Sequence, residues 1–361
     1  MPEGREVKHL LRVWDSVRSF HFEILGQCEP GKLLYLKSSY DFEVPENFDA
    51  PVEQASPMRV IKHLLDSRFD AVELNEPLSV ASWARLIFYR IALGVRRHIL
   101  RRPVRVAYYA IENKNIVDAL SAKFRLPSQL SRAICGILRY PLSSADDSAV
   151  FGTNASLDNY ETFFGHRLAR RRELIWQLPA PCHCTTLSRA ANAVIFVGAF
   201  DERKGVLRLL DAWGEVLAKA PSSTLSVLGQ GAYEQEVRGA ASAHSSVEVA
   251  ISPTRSEIHR RLSEASVIVL LSQPHPYWKE QVGLPILEGL AHGCKVVASE
   301  ETGISTWLTE HGHSVIPAEA EKEQIAAAIV GELLNAASAD DVIFDLPEVH
   351  GRVAADWWLY S

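Results

Sequence analysis

Long apolar runs are missing from this 361-residue chain, and none approaches the length that spans a bilayer. Met1 to His9 are charged and lack the apolar core of a signal peptide, so neither export by that route nor membrane crossing is expected. Cysteine is sparse. Cys28, Cys135, Cys182, Cys184 and Cys294 are scattered and odd in number, which reads as reduced thiols in a cytoplasmic protein and excludes a disulfide scaffold. No internal repeat or low-complexity tract is present, which argues against solenoids and linkers. No Gly-x-Gly-x-x-Gly follows a strand at a helix start, and this disfavours a dehydrogenase.

What is present is ordinary globular composition, with 47% apolar and 23% charged residues. The length exceeds what one core usually serves, so two domains are expected. Net charge is −6, unevenly spread: residues 1–185 carry 25 Lys+Arg against 21 Asp+Glu, and residues 186–361 carry 13 against 23. Only the first half has the charge to face an anionic partner.

In the second half, short apolar runs alternate with stretches of helical period. Strands are expected at Ala193–Phe200, Thr224–Leu228, Val247–Ala250, Ser266–Leu271, Lys295–Ala298 and Ser314–Ile316. Helices are expected at Val206–Lys219, Tyr233–Ala243, Ser256–Glu264, Pro285–His292, Ile304–His311 and Glu321–Ala336. This alternation implies right-handed parallel crossovers and a doubly wound sheet. A looser version precedes it, with strands at Lys32–Leu36, Ala71–Leu74, Val104–Ile111, Ala149–Gly152 and Glu173–Gln177 and helices at Met58–Ser67, Ser79–Leu100, Ile116–Phe124 and Leu157–Phe164. The expected fold class is therefore α/β: two Rossmann-like domains at 1–185 and 186–345, hinged near Pro179–Arg189 and facing each other across a cleft. A final segment, 346–361, carries Trp357, Trp358 and Tyr360 and is expected to cross back to the first domain.

The segment Lys279–Ser299, KEQVGLPILEGLAHGCKVVAS, lies between two expected strands. Pro285 suits the first turn of a helix and Gly293 its end, so the helix should start near Leu284 with open amides that attract an anion such as phosphate. Glu280 and Glu288 bracket that start. Carboxylates beside an anion site make sense if they accept hydrogen bonds from hydroxyls, and nucleotide sugars combine phosphate with vicinal hydroxyls. The residues alone leave open whether Glu288 merely favours the helix start and Glu280 is a solvated loop residue.

Glu280-x-Val-Gly-Leu-Pro-Ile-Leu-Glu288-Gly resembles the E-x7-E signature of retaining GT-B glycosyltransferases, especially glycosyltransferase family 4. Three further stretches come in that family's order. Phe196-Val-Gly198-Ala-Phe-Asp-Glu-Arg203-Lys204-Gly205 resembles the segment whose basic residue holds the donor diphosphate. Val227-Leu-Gly229-Gln-Gly231 resembles the glycine-rich turn after the second strand, and Val296-Val-Ala-Ser299 with Thr302-Gly303 the loop that closes the donor site. The resemblance covers roughly residues 190–335.

It implies a metal-independent, hexosyl-type retaining glycosyltransferase with no cofactor, a nucleotide-sugar donor domain at 186–345 and an acceptor-binding domain at 1–185. Glu280 would lie near the anomeric carbon, contacting sugar hydroxyls or stabilising positive charge. Glu288 would accept from the ribose hydroxyls, Val282, Gly283 and Leu284 would contact sugar or diphosphate, and Lys204 would neutralise the leaving phosphate. The family's usual arginine after Gly198 is Ala199 here, and Arg203 is the expected substitute. The absence of any Asp-x-Asp fits a metal-free GT-B enzyme. Two other readings stand beside this one: a catalytically silent nucleotide-sugar binding or scaffold protein, and a sugar-nucleotide epimerase or hydrolase on the same fold.

The first half offers weaker signals. Glu112 and Asn113 follow one expected strand and Glu76 another, and loops after strands are where such folds place function. Ser38-Ser39-Tyr40, after the first expected strand, lacks paired glycines. Ser79–Arg102 is apolar and ends in arginines. It reads as a crossover helix, or as a peripheral contact with an anionic inner membrane face presenting a lipid-linked or polysaccharide acceptor. The basic run Arg167–Arg172 is not read as a nucleic-acid site, because no binding module accompanies it. Cys182-His183-Cys184 lacks a second ligand pair, so no metal site is expected.

Overall fold

The computed structural model describes residues 9–38, 44–45, 48–66, 68–182, 189–276, 278–335 and 338–361. Ser39, Tyr40, and the hinge residues 183–188 with His183 and Cys184 lie outside them. The chain divides into two compact units, Met1–Gln177 with His350–Ser361, and Leu178–Val349.

The first unit holds a seven-stranded sheet of β1 (Leu10–Val17), β2 (Gly31–Ser38), β3 (Val52–Gln54), β4 (Ala71–Glu73), β5 (Arg105–Ala110), β6 (Ser148–Phe151) and β7 (Arg171–Leu174). The order is β3-β2-β1-β4-β5-β6-β7, with every neighbouring pair parallel. Successive strand residues point to opposite faces. Leu11, Val13, Leu34, Val72, Tyr108 and Phe151 pack with Val60, Leu64, Leu86, Leu120 and Tyr160 from the helices. Leu10, Ala71, Ala107 and Val150 pack instead with Ala355, Leu359 and Tyr360 of the terminal helix Gly351–Tyr360.

Several elements depart from the sequence reading, the unexpected β3 and the helices Ser19–Leu25 and Ala339–Phe344 among them. The strand expected first, at Lys32–Leu36, is the second, because β1 precedes it. Arg12 and Asp15 interrupt the apolar run of β1 and hide it, yet Arg12 is only 2% exposed. The helix Ser128–Leu142 was not expected, since Gly136 and Pro141 weaken its helical signal. The helix expected over Ser79–Leu100 stops at Gly94 and continues as a wider π turn, Val95–Ile99. There Arg96 is buried and donates to the carbonyls of Leu64 and Phe69. Finally, β7 begins at Arg171 rather than Glu173. The Arg171 guanidinium donates to the carbonyls of Leu359 at 2.9 Å and Trp358 at 2.5 Å, satisfying the open end of the terminal helix.

Arg12 is neutralised from two directions. It stands opposite Glu73 in the β1–β4 register, with Nε 3.4 Å from Oε2, and its Nη2 donates to Asp356 at 2.7 Å. Arg352 closes the square, 2.6 Å from Glu73 and 3.3 Å from Asp356. Trp14 Nε1 and the Tyr360 hydroxyl each donate to Glu73 at 3.0 Å. Burial works to raise the Glu73 carboxyl, but the Arg352 and Arg12 guanidiniums outweigh it and hold the group below the usual carboxylate range.

The second unit holds β8 (Ala193–Ala199), β9 (Thr224–Gln230), β10 (Val247–Ile251), β11 (Val267–Leu270), β12 (Lys295–Ser299) and β13 (Ser314–Ile316). Their order is β10-β9-β8-β11-β12-β13, again all parallel. Helices Val206–Lys219, Glu234–Ala241, Arg255–Glu264, Leu284–Ala291 and Lys322–Leu334 connect and cover the strands. Removing one member of a buried charge group strands the others. Asp356→Ala is therefore expected to cost about 3–5 kcal/mol in urea unfolding followed by a probe of the first unit, and a loss under about 1 kcal/mol would contradict the role given to the network.

Candidate functional site

In the second sheet the chain runs outward from β8 through β9 and β10, then restarts at β11 and runs the other way. Loops leaving the carboxyl ends of β8 and β11 therefore diverge, and the crevice between them is where such sheets bind ligands. After β8 comes Asp201, whose carboxylate accepts from the Lys204 amide at 3.2 Å and organises the turn Glu202–Lys204. After β11 a longer loop leads to Gly283 and the helix Leu284–Ala291. The Gln273 amide donates to the Arg203 carbonyl at 2.8 Å and joins the two loops.

This arrangement brings Lys204 and Glu280 together across 76 residues of sequence. Lys204 Nζ donates to Glu280 Oε2 at 2.5 Å, and the Ser272 hydroxyl donates to the same oxygen at 3.0 Å. Both side chains are largely buried, 15% and 9% exposed. Arg203 and Lys204 each stand 4.9 Å from the centre of the Trp278 ring, while Arg203 also pairs with Asp201 at 2.5 Å. Ala199, at the end of β8, adds no charge to this group.

The helix that follows starts as the sequence predicts, at Leu284. Its first turn has no side-chain cap, and Gly283 before it takes φ +74°, a conformation that disfavours any residue with a Cβ. The loop carrying Glu280 is fixed from behind. Gly303 N donates to the Glu280 carbonyl at 3.1 Å, and Thr302 Oγ1 donates to the Val282 carbonyl at 3.2 Å. Gly198 and Gly229 lie where β8 and β9 end side by side, and a Cβ on Gly229 would stand 1.8 Å from the Gly198 carbonyl oxygen. Gly231 follows on the exposed turn after β9.

Glu288, one turn into the helix, pairs with Arg255 at the start of Arg255–Glu264, with Glu288 21% and Arg255 46% exposed. Sequence reasoning missed Arg255, Ser272 and Trp278. The last two could have been found from polarity and aromaticity in the loop that already held Glu280, whereas Arg255 had no signal beyond its helix.

In the first unit, Glu76, Glu112 and Asn113 gather where β4 and β5 end. Glu76 Oε2 accepts from the amides of Ile111 at 3.0 Å and Glu112 at 2.9 Å and from the Tyr160 hydroxyl at 3.2 Å, so it shapes the loop's backbone. Asn159 Nδ2 donates to the Glu112 carbonyl at 3.1 Å. Burial, reinforced by the Glu112 carboxylate, pushes the Glu76 carboxyl up to about 8. A second polar group lies where β1 and β4 end. Asp15 accepts from Ser82 and from Arg85, each at 2.5 Å, and the Asp15 amide donates to Asn75 at 3.3 Å. It went unseen because β1 itself did. On Trp83–Gly94, Trp83, Leu86 and Tyr89 are buried, while Phe88 and Ile91 are exposed.

Residues 191–335 match the family model described as Glycosyl transferases group 1. Among solved structures, WaaG, a glycosyltransferase involved in lipopolysaccharide biosynthesis, is 14% identical with TM-score 0.63, covering 98% of this chain and 100% of its own. Anabaena HepE in complex with UDP is 14% identical with TM-score 0.67, covering 98% and 96%. Sucrose-phosphate synthase from Thermosynechococcus elongatus is 14% identical with TM-score 0.59, covering 99% and 95%. No curated protein sequence matches. The fold is GT-B, and residues 191–335 are similar to the group 1 glycosyltransferases.

Glu76 generates a pH test. Between its ordinary value of 4.5 and its folded value of about 8, the folded chain holds a proton that the unfolded chain has released. Stability from this group is therefore full below that window and declines as pH rises through it. Glu76→Gln, which keeps a carbonyl acceptor, should flatten the decline of the urea midpoint across that window. Parallel pH profiles for the two proteins would refute the assignment.

Proposed function

We propose that the protein is a retaining glycosyltransferase that moves a hexosyl group from a nucleoside diphosphate sugar, a UDP-sugar in the first instance, to an acceptor bound by the first unit, without metal in the transfer step. The observation that carries this reading is the Lys204–Glu280 pair at the carboxyl ends of β8 and β11. UDP bound to the similarly folded HepE supports the choice of nucleotide.

Transfer builds negative charge on the departing diphosphate and positive charge at the anomeric carbon. Lys204, with Arg203 across the Trp278 ring, meets the first, together with the open amides at Leu284 and Ile286. Glu280 meets the second, by holding sugar hydroxyls or facing the developing cation. The acceptor hydroxyl attacks from the face the diphosphate leaves, and its proton passes to the leaving phosphate oxygen. Glu288 takes the ribose hydroxyls. Its exposed pairing with Arg255 is worth little, so exchanging it for a ligand costs little.

We further propose a cytoplasmic protein that touches an anionic membrane surface. Exposed Phe88, Ile91, Ile99 and Leu100 near exposed Arg97, Arg101 and Arg102 support it. Co-sedimentation with anionic but not neutral vesicles is the check, and equal recovery with both or with neither would remove this part of the reading.

Purified chain should gain thermal stability with UDP in the absence of added metal, by about 2.7 kcal/mol at a hundredfold excess over Kd. Lys204→Ala and Glu280→Ala are expected to keep the fold and lose roughly 10²–10³ in transfer rate. Glu288→Ala should weaken free UDP roughly tenfold. Near-normal turnover in the first two variants would overturn the residue roles. Donor consumption undiminished by omitting every acceptor would favour a hydrolase or epimerase.

A further inference from the structure

Away from the Lys204–Glu280 group, three side chains from separate parts of the second unit converge. Cys182 enters on the segment after Leu178, and its amide donates to the Ala291 carbonyl at 2.8 Å. His259 comes from the helix Arg255–Glu264, and His292 ends the helix Leu284–Ala291. Cys182 Sγ lies 3.9 Å from His259 Nδ1, and His259 Nδ1 lies 3.2 Å from His292 Nε2. The three ligating atoms all fall within 4.8 Å of one another.

Proton bookkeeping makes the convergence unusual. His292 Nδ1 faces the Glu288 carbonyl at 2.7 Å, and a carbonyl only accepts, so Nδ1 carries the proton and Nε2 presents a lone pair. His259 offers one nitrogen to both that lone pair and the Cys182 sulfur. A cation at their centre would be met by all three atoms at once. Tetrahedral Zn²⁺ with bonds of about 2.0–2.1 Å to nitrogen and 2.3 Å to sulfur places nitrogens roughly 3.3 Å apart and sulfur roughly 3.6 Å from nitrogen. The 3.2 Å between the nitrogens and the 3.9 Å from sulfur to His259 lie close to these.

We propose that Cys182, His259 and His292 are three ligands of a zinc site. One thiolate and two imidazoles are a borderline-soft donor set that suits Zn²⁺ over Mg²⁺ or Ca²⁺. The His292–Glu288 carbonyl bond is the outer contact that orients a ligating imidazole. Arg189 is engaged by the carbonyls of Ala265 at 2.6 Å and Gly293 at 3.0 Å. The helix Leu284–Ala291 has eight residues, so the site lies roughly 12 Å from the anion-binding end. The metal is therefore a clamp. It ties together the helices that carry Arg255 and Glu288, and sugar transfer is not routed through it. The inference stands independently of the glycosyltransferase reading.

The test uses tag-free full-length protein, stripped with chelator and titrated with Zn²⁺ against a chromophoric competitor, and in parallel with Co²⁺. One metal per chain is expected, with a thiolate-to-cobalt charge-transfer band and tetrahedral visible absorption. Cys182→Ser should abolish that band, and Cys182→Ser and His259→Gln should each weaken Zn²⁺ roughly a hundredfold or more, with circular dichroism reporting that each variant is folded. Absence of stoichiometric metal in the wild-type chain, a band that survives Cys182→Ser, or equal affinity in wild type and His259→Gln would each overturn the site. The wild-type titration decides the question even if a variant fails to fold.

Discussion

A guanidinium in the middle of a parallel strand cannot keep its water, and burying a lone charge costs several kcal/mol, so Arg12 dictates much of the first unit. Its neighbour in register, Glu73, supplies one negative charge, and a second must come from elsewhere. It comes from Asp356, 344 residues away, with Arg352 restoring balance to a square of two cations and two anions. The same helix covers Leu10, Ala71, Ala107 and Val150, so one face of the sheet is sealed only when these charges meet. Apolar burial there supplies the stability. The ion pairs supply the address, because a helix displaced by one turn would leave a charge stranded.

The constraint also explains what was legible. In the second unit all six strands and the helices that connect them were readable, because their apolar periods are uninterrupted, and Val206–Lys219 and Ser314–Ile316 have the expected limits; only the short helix Ala339–Phe344 was not expected. In the first unit β1 was unreadable, since the partners that make a buried Arg12 tolerable lie on β4 and on the last helix, where no local window reaches. Arg96 and Arg171 misled in the same way. Both lie in arginine-rich runs and satisfy backbone carbonyls, one inside a π turn and one at the end of the terminal helix. The motif residues of the candidate site were readable in order, but their companions were not. Ser272, Trp278 and Arg255 matter through geometry that spacing does not encode.

Charge pairs in this chain are graded by exposure, and the grading separates structure from site. The Arg12 square is closed, with side chains between 0% and 9% exposed, so no ligand can exchange with it cheaply. Lys204 and Glu280 are intermediate, and Arg255 with Glu288 is open to solvent. A partly open pair holds its side chains in place where an incoming group can still reach them. Preorganised donors of that kind act on developing charge without having to reorient.

The helix Leu284–Ala291 concentrates these effects because both of its ends are held. At its start Thr302 and Gly303 fix the loop that carries Glu280 and Val282, leaving the first amides directed outward without a side-chain cap. At its finish the Glu288 and Ala291 carbonyls are engaged by the His292 ring and the Cys182 amide, and Arg189 holds the Gly293 carbonyl just beyond. A short helix with a frayed carboxyl end would present a weaker and less directed set of amides, since each lost turn removes aligned peptide dipoles. Anchoring the far end is therefore a way of sharpening the near one, and it accounts for an elaborate arrangement of cysteine, histidine and arginine on a helix of only eight residues.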